Sequence, residues 1–372
     1  MKTLMLMAAL FLVAAGEGAD PGPEGTRDCG SERVAVGAIR WDAWTGGKIT
    51  AQVERTLGPE KYHDRLPWFA EVLDEDRVRI NGAKKGVMEK EIDMAAQAGL
   101  DYWAFLVYPK ASPMTVALDQ YLASPKRKRI RFCVIMHNTF KATSKHWPAE
   151  RDRAVALLKE PGYQTVLNGR PLVYVFAGRD LPFDRFIEFR AAVRKAGLNP
   201  YCVFMGWNPA SDYRRVRKKG FDAVSAYAMA GSQARFSDLV RAVETRYWQA
   251  AVKGKVSYVP FVTSGWDKWP RKDNPVSWEK KGQGYHKQKV FPSRAKPQEI
   301  AAHLKRGVSF VKSHPGTCAA RALIIYAWNE YDEGGWIAPT RGADGRPDTS
   351  RLDAIRKVLK PARSKAEAGE TR

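Results

Sequence analysis

Apolar residues gather along this chain in short, nearly unbroken runs rather than in alternation with polar ones. The runs are 34–39, 102–107, 130–136, 171–176, 201–205, 223–226, 256–262 and 322–328. A strand that reads as continuously apolar is buried on both faces, as in a parallel sheet covered by helices. Helical spacing separates the runs. Ile92, Ala95, Ala96 and Leu100 recur at i, i+3, i+4 and i+8 before the second run, and Phe186, Phe189 and Val193 at i, i+3 and i+7 before the fifth. Gly99 and Gly197 stand where left-handed helix caps are expected. Eight strands alternating with helices predict a closed (β/α)8 TIM barrel. An open doubly wound sheet would show about five to seven strands and a glycine-rich phosphate loop after the first. Here the first strand runs into Ile39-Arg40-Trp41-Asp42 instead.

The segments after strand 1 (40–86) and strand 7 (263–296) are long and aromatic-rich. Both leave strand carboxyl ends, the face where this fold builds its sites, so they predict the walls of a cleft. At the amino terminus, Lys2, an apolar run over 4–15 and small residues up to Ala19 have the form of a cleaved export signal, too short for a membrane span. The reading is therefore a signal peptide at 1–19, a Gly/Pro-rich leader at 20–32, one catalytic barrel at 33–360 and a charged, disordered tail at 361–372. Export places the mature protein in a periplasm, on a surface or in the medium.

Composition changes this picture in one respect. Of 372 residues, 44% are hydrophobic and 27% charged, as in ordinary globular proteins, but the net charge is +22. Loss of 1–19 removes one Lys and one Glu and leaves that charge unchanged. Such a surface attracts polyanions in a salt-sensitive way. Basic runs stand at 126–129 and 214–219, with no nucleic-acid motif beside them. Cys133 and Cys202 lie in apolar runs and read as core residues; export would permit a disulfide between Cys29 and Cys318. The histidines form no HxH or HExxH pair and no GxSxG elbow occurs, so neither metal nor cofactor is expected.

Candidate site residues are those just past the strand ends: Trp41, Asp42 and Trp44; Tyr108; His137 and Asn138; Trp207 and Asn208; Tyr227; Trp266 and Asp267; Trp328, Asn329 and Trp336. Rings that stack on sugar C–H faces, mixed with groups that bond hydroxyls, suit a glycan. The sharpest segment, 326–336, sets Glu330 and Glu333 three apart in a short turn after the last strand. Glycoside cleavage uses such a pair, one to protonate the leaving oxygen and one to assist at the sugar.

These features resemble the glycoside hydrolase family 99-like proteins, which include endo-acting α-mannosidases and WbsX-like proteins, and more distantly the family 71 α-1,3-glucanases. The resemblance runs over about 33–359 and rests on four motifs. They are Asn329-Glu330-x-x-Glu333-Gly334; Gly265-Trp266-Asp267 with Pro270-Arg271; 132–138; and Pro161-Gly162-Tyr163 with Asn168-Gly169-Arg170-Pro171. It implies a retaining hydrolase in which Glu330 assists the sugar's own 2-hydroxyl and Glu333 is general acid and then base. Glu333 would then need a raised pKa, from burial or from Glu330 and Asp332. Tyr331-Asp332 replaces the family's Trp-His, which alters the neighbours of the pair and leaves mannose unspecified. Arg40 and the net charge add an anionic glycan as a candidate substrate. Two rivals remain open: a noncatalytic glycan-binding barrel, and a basic protein that holds envelope or nucleic-acid polyanions.

Overall fold

The computed structural model describes residues 33–360 apart from 177–180, 280–281 and 283, and the side chain of Asn138 is also outside what it describes. The signal, leader and tail readings, together with Cys29 and its pairing with Cys318, fall outside the described residues. Eight parallel strands form the core of the fold: β1 (Ala35–Arg40), β2 (Tyr102–Val107), β3 (Arg131–Met136), β4 (Arg170–Val175), β5 (Tyr201–Met205), β6 (Ala223–Ser225), β7 (Phe261–Thr263) and β8 (Ala322–Tyr326). Hydrogen-bonded neighbours run β7-β8-β1-β2-β3-β4-β5-β6. A parallel bridge from Val224 to Tyr258, just ahead of β7, closes the ring. The chain is a (β/α)8 barrel.

Each predicted run coincides with one of these strands to within a few residues. The seventh differs for a physical reason. Pro260 has no N–H for the ladder, so the run divides: 257–259 bonds to β6, and only Phe261–Thr263 pairs with β8. The helices include α1 (Gly47–Leu57), α2 (Val87–Ala98), α3 (Val116–Ala123), α4 (Trp147–Leu157), α5 (Phe183–Lys195) and α6 (Pro209–Val216). Gly99 caps α2 with φ 90°, and Gly197 follows α5 with φ 82°. Among the described residues, no helix is long and apolar enough to cross a membrane.

Strand alternation decides which residues fill the barrel and which face the helices. Tyr102, at the start of β2, lies inside. Its hydroxyl meets that of Tyr174 at 2.9 Å and donates to the Leu323 carbonyl at 3.0 Å. Its ring occupies the space where Gly37 on β1 would carry a Cβ, so only glycine fits there. Trp103 and Phe105 point the other way, against Tyr121 of α3.

Trp328 joins this outer layer rather than the cleft. It is fully buried, with its ring 5.0 Å from that of Trp103 and its Nε1 donating to Glu91 of α2 at 3.2 Å. Trp328→Ala should therefore cost about 3–5 kcal/mol of stability in urea denaturation. A ring stacked on sugar at the surface would cost far less.

Candidate active site

Beyond β8 the chain makes a tight hairpin. Asn329–Glu330 pairs antiparallel with Gly335–Trp336, and a 3-10 turn at Tyr331–Glu333 joins them. Gly334 ends the turn with φ 79°, and a Cβ there would strike the backbone of Asp267. Asp267 lies that close because its N–H donates to the Glu333 carbonyl at 2.8 Å. Arg65 holds Asp267 from below, donating to its carbonyl at 2.9 Å and pairing with its carboxylate. The loops after β7 and β8 thus lock together at the barrel mouth.

A cavity of about 540 Å³ opens there, and Glu330 and Glu333 both line it. Glu330 is buried; its Oε1 accepts from the Tyr227 hydroxyl at 2.5 Å. Its Oε2 is buried with no hydrogen-bond partner, the nearest cation being Arg271 Nη2 at 3.9 Å. Burial, reinforced by the charge of Glu333, pushes the Glu330 carboxyl well above its ordinary range, and Arg271 only partly opposes this.

Glu333 is held in the opposite state. Its Oε1 pairs with Arg271 and with Lys268 Nζ at 2.9 Å, and its Oε2 accepts from the Tyr326 hydroxyl at 2.7 Å. Burial pushes this carboxyl up, but Arg271 and Lys268 outweigh burial and hold it below the ordinary carboxylate range. The raised pKa expected for Glu333 is overturned, because Asp332 is taken up by Arg271 (2.7 and 3.0 Å) and two cations face Glu333. Burial thus drives Glu330 upward while the two cations hold Glu333 down.

This asymmetry has a pH signature. A carboxyl raised on folding contributes stability that is complete below its unfolded pKa of about 4.3 and is lost as pH rises through the folded value. Glu330→Gln keeps the neutral form at every pH. The variant should match wild type in melts at pH 4 and exceed it at pH 8 by about 1 kcal/mol or more.

The other sequence candidates divide into wall and foundation. Trp41, Tyr108, His137 and Tyr227 line the cavity with the glutamates. His137 stacks on Phe176 at 5.2 Å, Phe176 stacks on Tyr227 at 4.7 Å, and Tyr227 holds Glu330. His137 Nδ1 lies 2.6 Å from the Phe176 carbonyl, which can only accept, so Nδ1 carries hydrogen. Burial lowers the His137 pKa and keeps the ring neutral, leaving Nε2 an acceptor suited to a sugar hydroxyl.

Nine candidates lie elsewhere. Trp44 is buried edge-on to Tyr331, its Nε1 donating to the Trp41 carbonyl at 3.0 Å. Asp42 bonds Arg40 and, at 3.0 Å, Asn329, which in turn accepts from the Trp41 N–H. Trp336 is buried under the Arg351 guanidinium at 3.8 Å, and Asp267 serves Arg65. Like Trp328, these side chains support the site from behind. Arg40, the argument for an anionic substrate, is also buried here, bonded to Asp42 at 2.8 Å and Glu91 at 2.9 Å. Trp266 packs against Tyr326 behind the cavity. Trp207 is 55% exposed outside it, and Asn208 caps α6 by accepting from Ser211 N–H at 3.1 Å.

The cavity also takes in residues that the sequence reading passed over. Phe176 ends the fourth apolar run, and its inward direction is a matter of parity. Arg271, quoted in a motif, and Lys268, beside it, carry no spacing signal for Glu333, which lies 62 residues from Arg271. Glu279 lies 2.9 Å from both of those cations, and Trp278 packs 5.8 Å from Trp41 over Arg271. Asp332, Glu333 and Glu279 face two cations even with Glu330 protonated, so the mouth is acidic in a basic protein. Among the described residues, no group of His, Cys, Asp and Glu could hold a metal ion.

No protein-family model matches the chain, and no curated protein is similar to it. Solved structures are. A GH99 endo-alpha-mannosidase from Bacteroides thetaiotaomicron superimposes with a TM-score of 0.55 at 12% identity, over 89% of this chain and 99% of that one. Its complex with bis-tris-propane gives 0.55 at 11% identity, over 87% of this chain and 95% of that one. At such identities the likeness is one of fold.

Proposed function

We propose that this protein is a glycoside hydrolase of the family 99-like kind that cleaves a glycan at the mouth of its barrel. The observation that carries the reading is the pair itself. A buried carboxyl with one unpartnered oxygen stands beside a second carboxyl held as an anion, in a cavity walled by Trp41, Tyr108, Phe176 and Trp278. The fold shared with an endo-alpha-mannosidase supports it. The acidic mouth favours a neutral sugar over an anionic one. Residues 33–360 form the catalytic unit, and 1–19 direct it out of the cytoplasm.

The partners of the two carboxyls assign the roles: Glu330 keeps one oxygen without a hydrogen-bond partner, and Glu333 is paired with Arg271 and Lys268. Glu330 gives its proton to the glycosidic oxygen as the C1–O electrons move onto that oxygen. Glu333, anionic throughout, faces the positive charge that develops at C1. The protonated leaving group departs, water enters C1 from the face it vacated beside Glu330, and the water's proton returns to Glu330, so the configuration is retained. This moves the acid role from Glu333, where the family resemblance puts it, to Glu330.

A second reading has its own support. Arg271 and Lys268 lock the glutamate that the resemblance makes the acid, as expected if the barrel binds glycan without cleaving it. Incubation with a panel of mannans, glucans and galactans separates the two. New reducing ends that disappear in Glu330→Gln support hydrolysis, and binding without reducing ends supports the lectin-like reading.

A further inference from the structure

The two basic runs of the sequence meet different fates in the fold. In the first, Lys126 pairs with Asp93 at 2.5 Å, Arg127 pairs with Glu160 at 3.1 Å, and Arg129 also reaches Asp93. In the second, Arg215 reaches Asp212 at 3.4 Å, but Arg217, Lys218 and Lys219 are exposed and meet no carboxylate among the described residues. These three form the 3-10 turn that follows α6.

Helix α5 faces that turn. Ile187, Arg190, Ala191 and Arg194, at i, i+3, i+4 and i+7, share one face and line a concavity of about 540 Å³ with Lys218 and Lys219. Arg190 fills the space over Gly220 that a Cβ would need, and its Nε is buried without a hydrogen-bond partner. A second concavity of about 440 Å³ lies alongside, lined by Tyr213, Arg217, Phe221 and Asp222, and Lys218 borders both. The one acid there, Asp222, is already bonded to Arg170 at 2.6 Å and to the Cys202 N–H at 2.8 Å. Four exposed cations, Arg194, Arg217, Lys218 and Lys219, with half-buried Arg190 behind them, therefore border this concave space without neutralisation among the described residues.

Their place in the fold separates them from the cleft. Gly220 leads into the amino end of β6, and Arg194 lies in the last turn of α5, ahead of the amino end of β5. The cleft occupies the carboxyl ends, so no sugar in it touches these cations. In this fold the amino-terminal face ordinarily serves stability, and unpaired like charges work against that.

We propose that this concave basic face binds an acidic polysaccharide through its carboxylate or sulfate groups, apart from the cleft. Single-stranded nucleic acid calls for exposed rings on which bases stack, and here Tyr213 is half-buried and Phe221 buried. A membrane surface calls for an apolar face, and Ile187 is the one large exposed hydrophobic group among the lining residues. The repeated anions of a uronate chain match two adjoining basic hollows.

The test is titration of the protein with polygalacturonate at low and physiological salt. Neutral dextran, a thymidine oligonucleotide and phosphatidylglycerol vesicles run in parallel. Binding to polygalacturonate should weaken steeply with salt and fall about tenfold or more in Arg194→Glu/Lys218→Glu. It should be unchanged in Lys126→Gln, whose charge Asp93 already meets, and in Glu330→Gln, which makes the outcome independent of any turnover in the cleft. Both altered residues are exposed, so the melting temperature should hold; Arg217→Gln/Lys219→Gln gives the same readout without charge reversal. Absent polygalacturonate binding, binding indifferent to both double variants, or tighter binding of oligonucleotide or vesicles through the same residues would each overturn the proposal.

Discussion

Replacing Arg271 with methionine is expected to remove about 3–5 kcal/mol of folding stability at pH 7, the largest loss from any single substitution at the mouth. Arg271 is buried and bonds Asp332 through two nitrogens, at 2.7 and 3.0 Å, while it pairs with Glu333 and, at 2.9 Å, with Glu279. Methionine fills much of the volume but leaves three carboxylates short of their common cation. Asp332, fully buried, has only the Thr56 hydroxyl at 3.3 Å left to it, and Glu333 keeps Lys268 and Tyr326.

The pH dependence identifies the cause. Glu333 is depressed on folding, so its contribution is present above its unfolded pKa of about 4.3 and is lost as pH falls through the folded value. Without Arg271 that depression shrinks. The gap between wild type and variant in urea melts should be widest at pH 7 and narrow at pH 4. Asp332→Asn added to the variant should recover part of the loss, because it removes the charge left most exposed to desolvation. An equal loss at both pH values would mean instead that Arg271 acts by packing between Trp41 and Trp278, whose rings lie 4.9 and 5.7 Å from it.

The fold was legible because a strand buried on both faces leaves little choice of residue, so each barrel strand reads as an apolar run. The cap at Gly99 was legible for a similar reason, since a φ of 90° strongly favours glycine. The site was legible only in part. Spacing shows that Glu330 and Glu333 share a turn, but past Tyr326 the chain leaves the strand and alternation no longer says which way a ring points. Trp328 and Trp336 therefore look like cleft residues in the sequence, yet they pack beneath it. Charge is harder still to read. Arg40 suggests a cation offered to substrate until Asp42 and Glu91 are seen around it, whereas the 214–219 run looks like any solvated face until its partners prove missing. The protonation of the pair depends on Lys268 and Arg271, which reach Glu333 from another loop, and no local pattern encodes that contact.

On a glycan that the panel shows to be cleaved, Glu330→Gln is expected to lower kcat about 10²–10⁴-fold, the range of a lost general acid. An acid is needed in proportion to how poor the leaving group is. A dinitrophenyl glycoside of the same sugar leaves without protonation, so Glu330→Gln should recover most of its rate in the first chemical step on that substrate. Glu333→Gln should lose comparably on both substrates, because an anion that stabilises charge at C1 is needed whatever departs.

The pH–rate profile supplies a second constraint. Burial raises Glu330, so loss of its proton should set the alkaline limb, while protonation of the depressed Glu333 should set the acid limb. Substituting Lys268 by Met removes one of the two cations that hold Glu333 down and should move the acid limb to higher pH. Rescue of Glu333→Gln by the dinitrophenyl substrate, with none for Glu330→Gln, would return the acid role to Glu333. It would also require the bonds from Lys268 and Arg271 to open before each turnover.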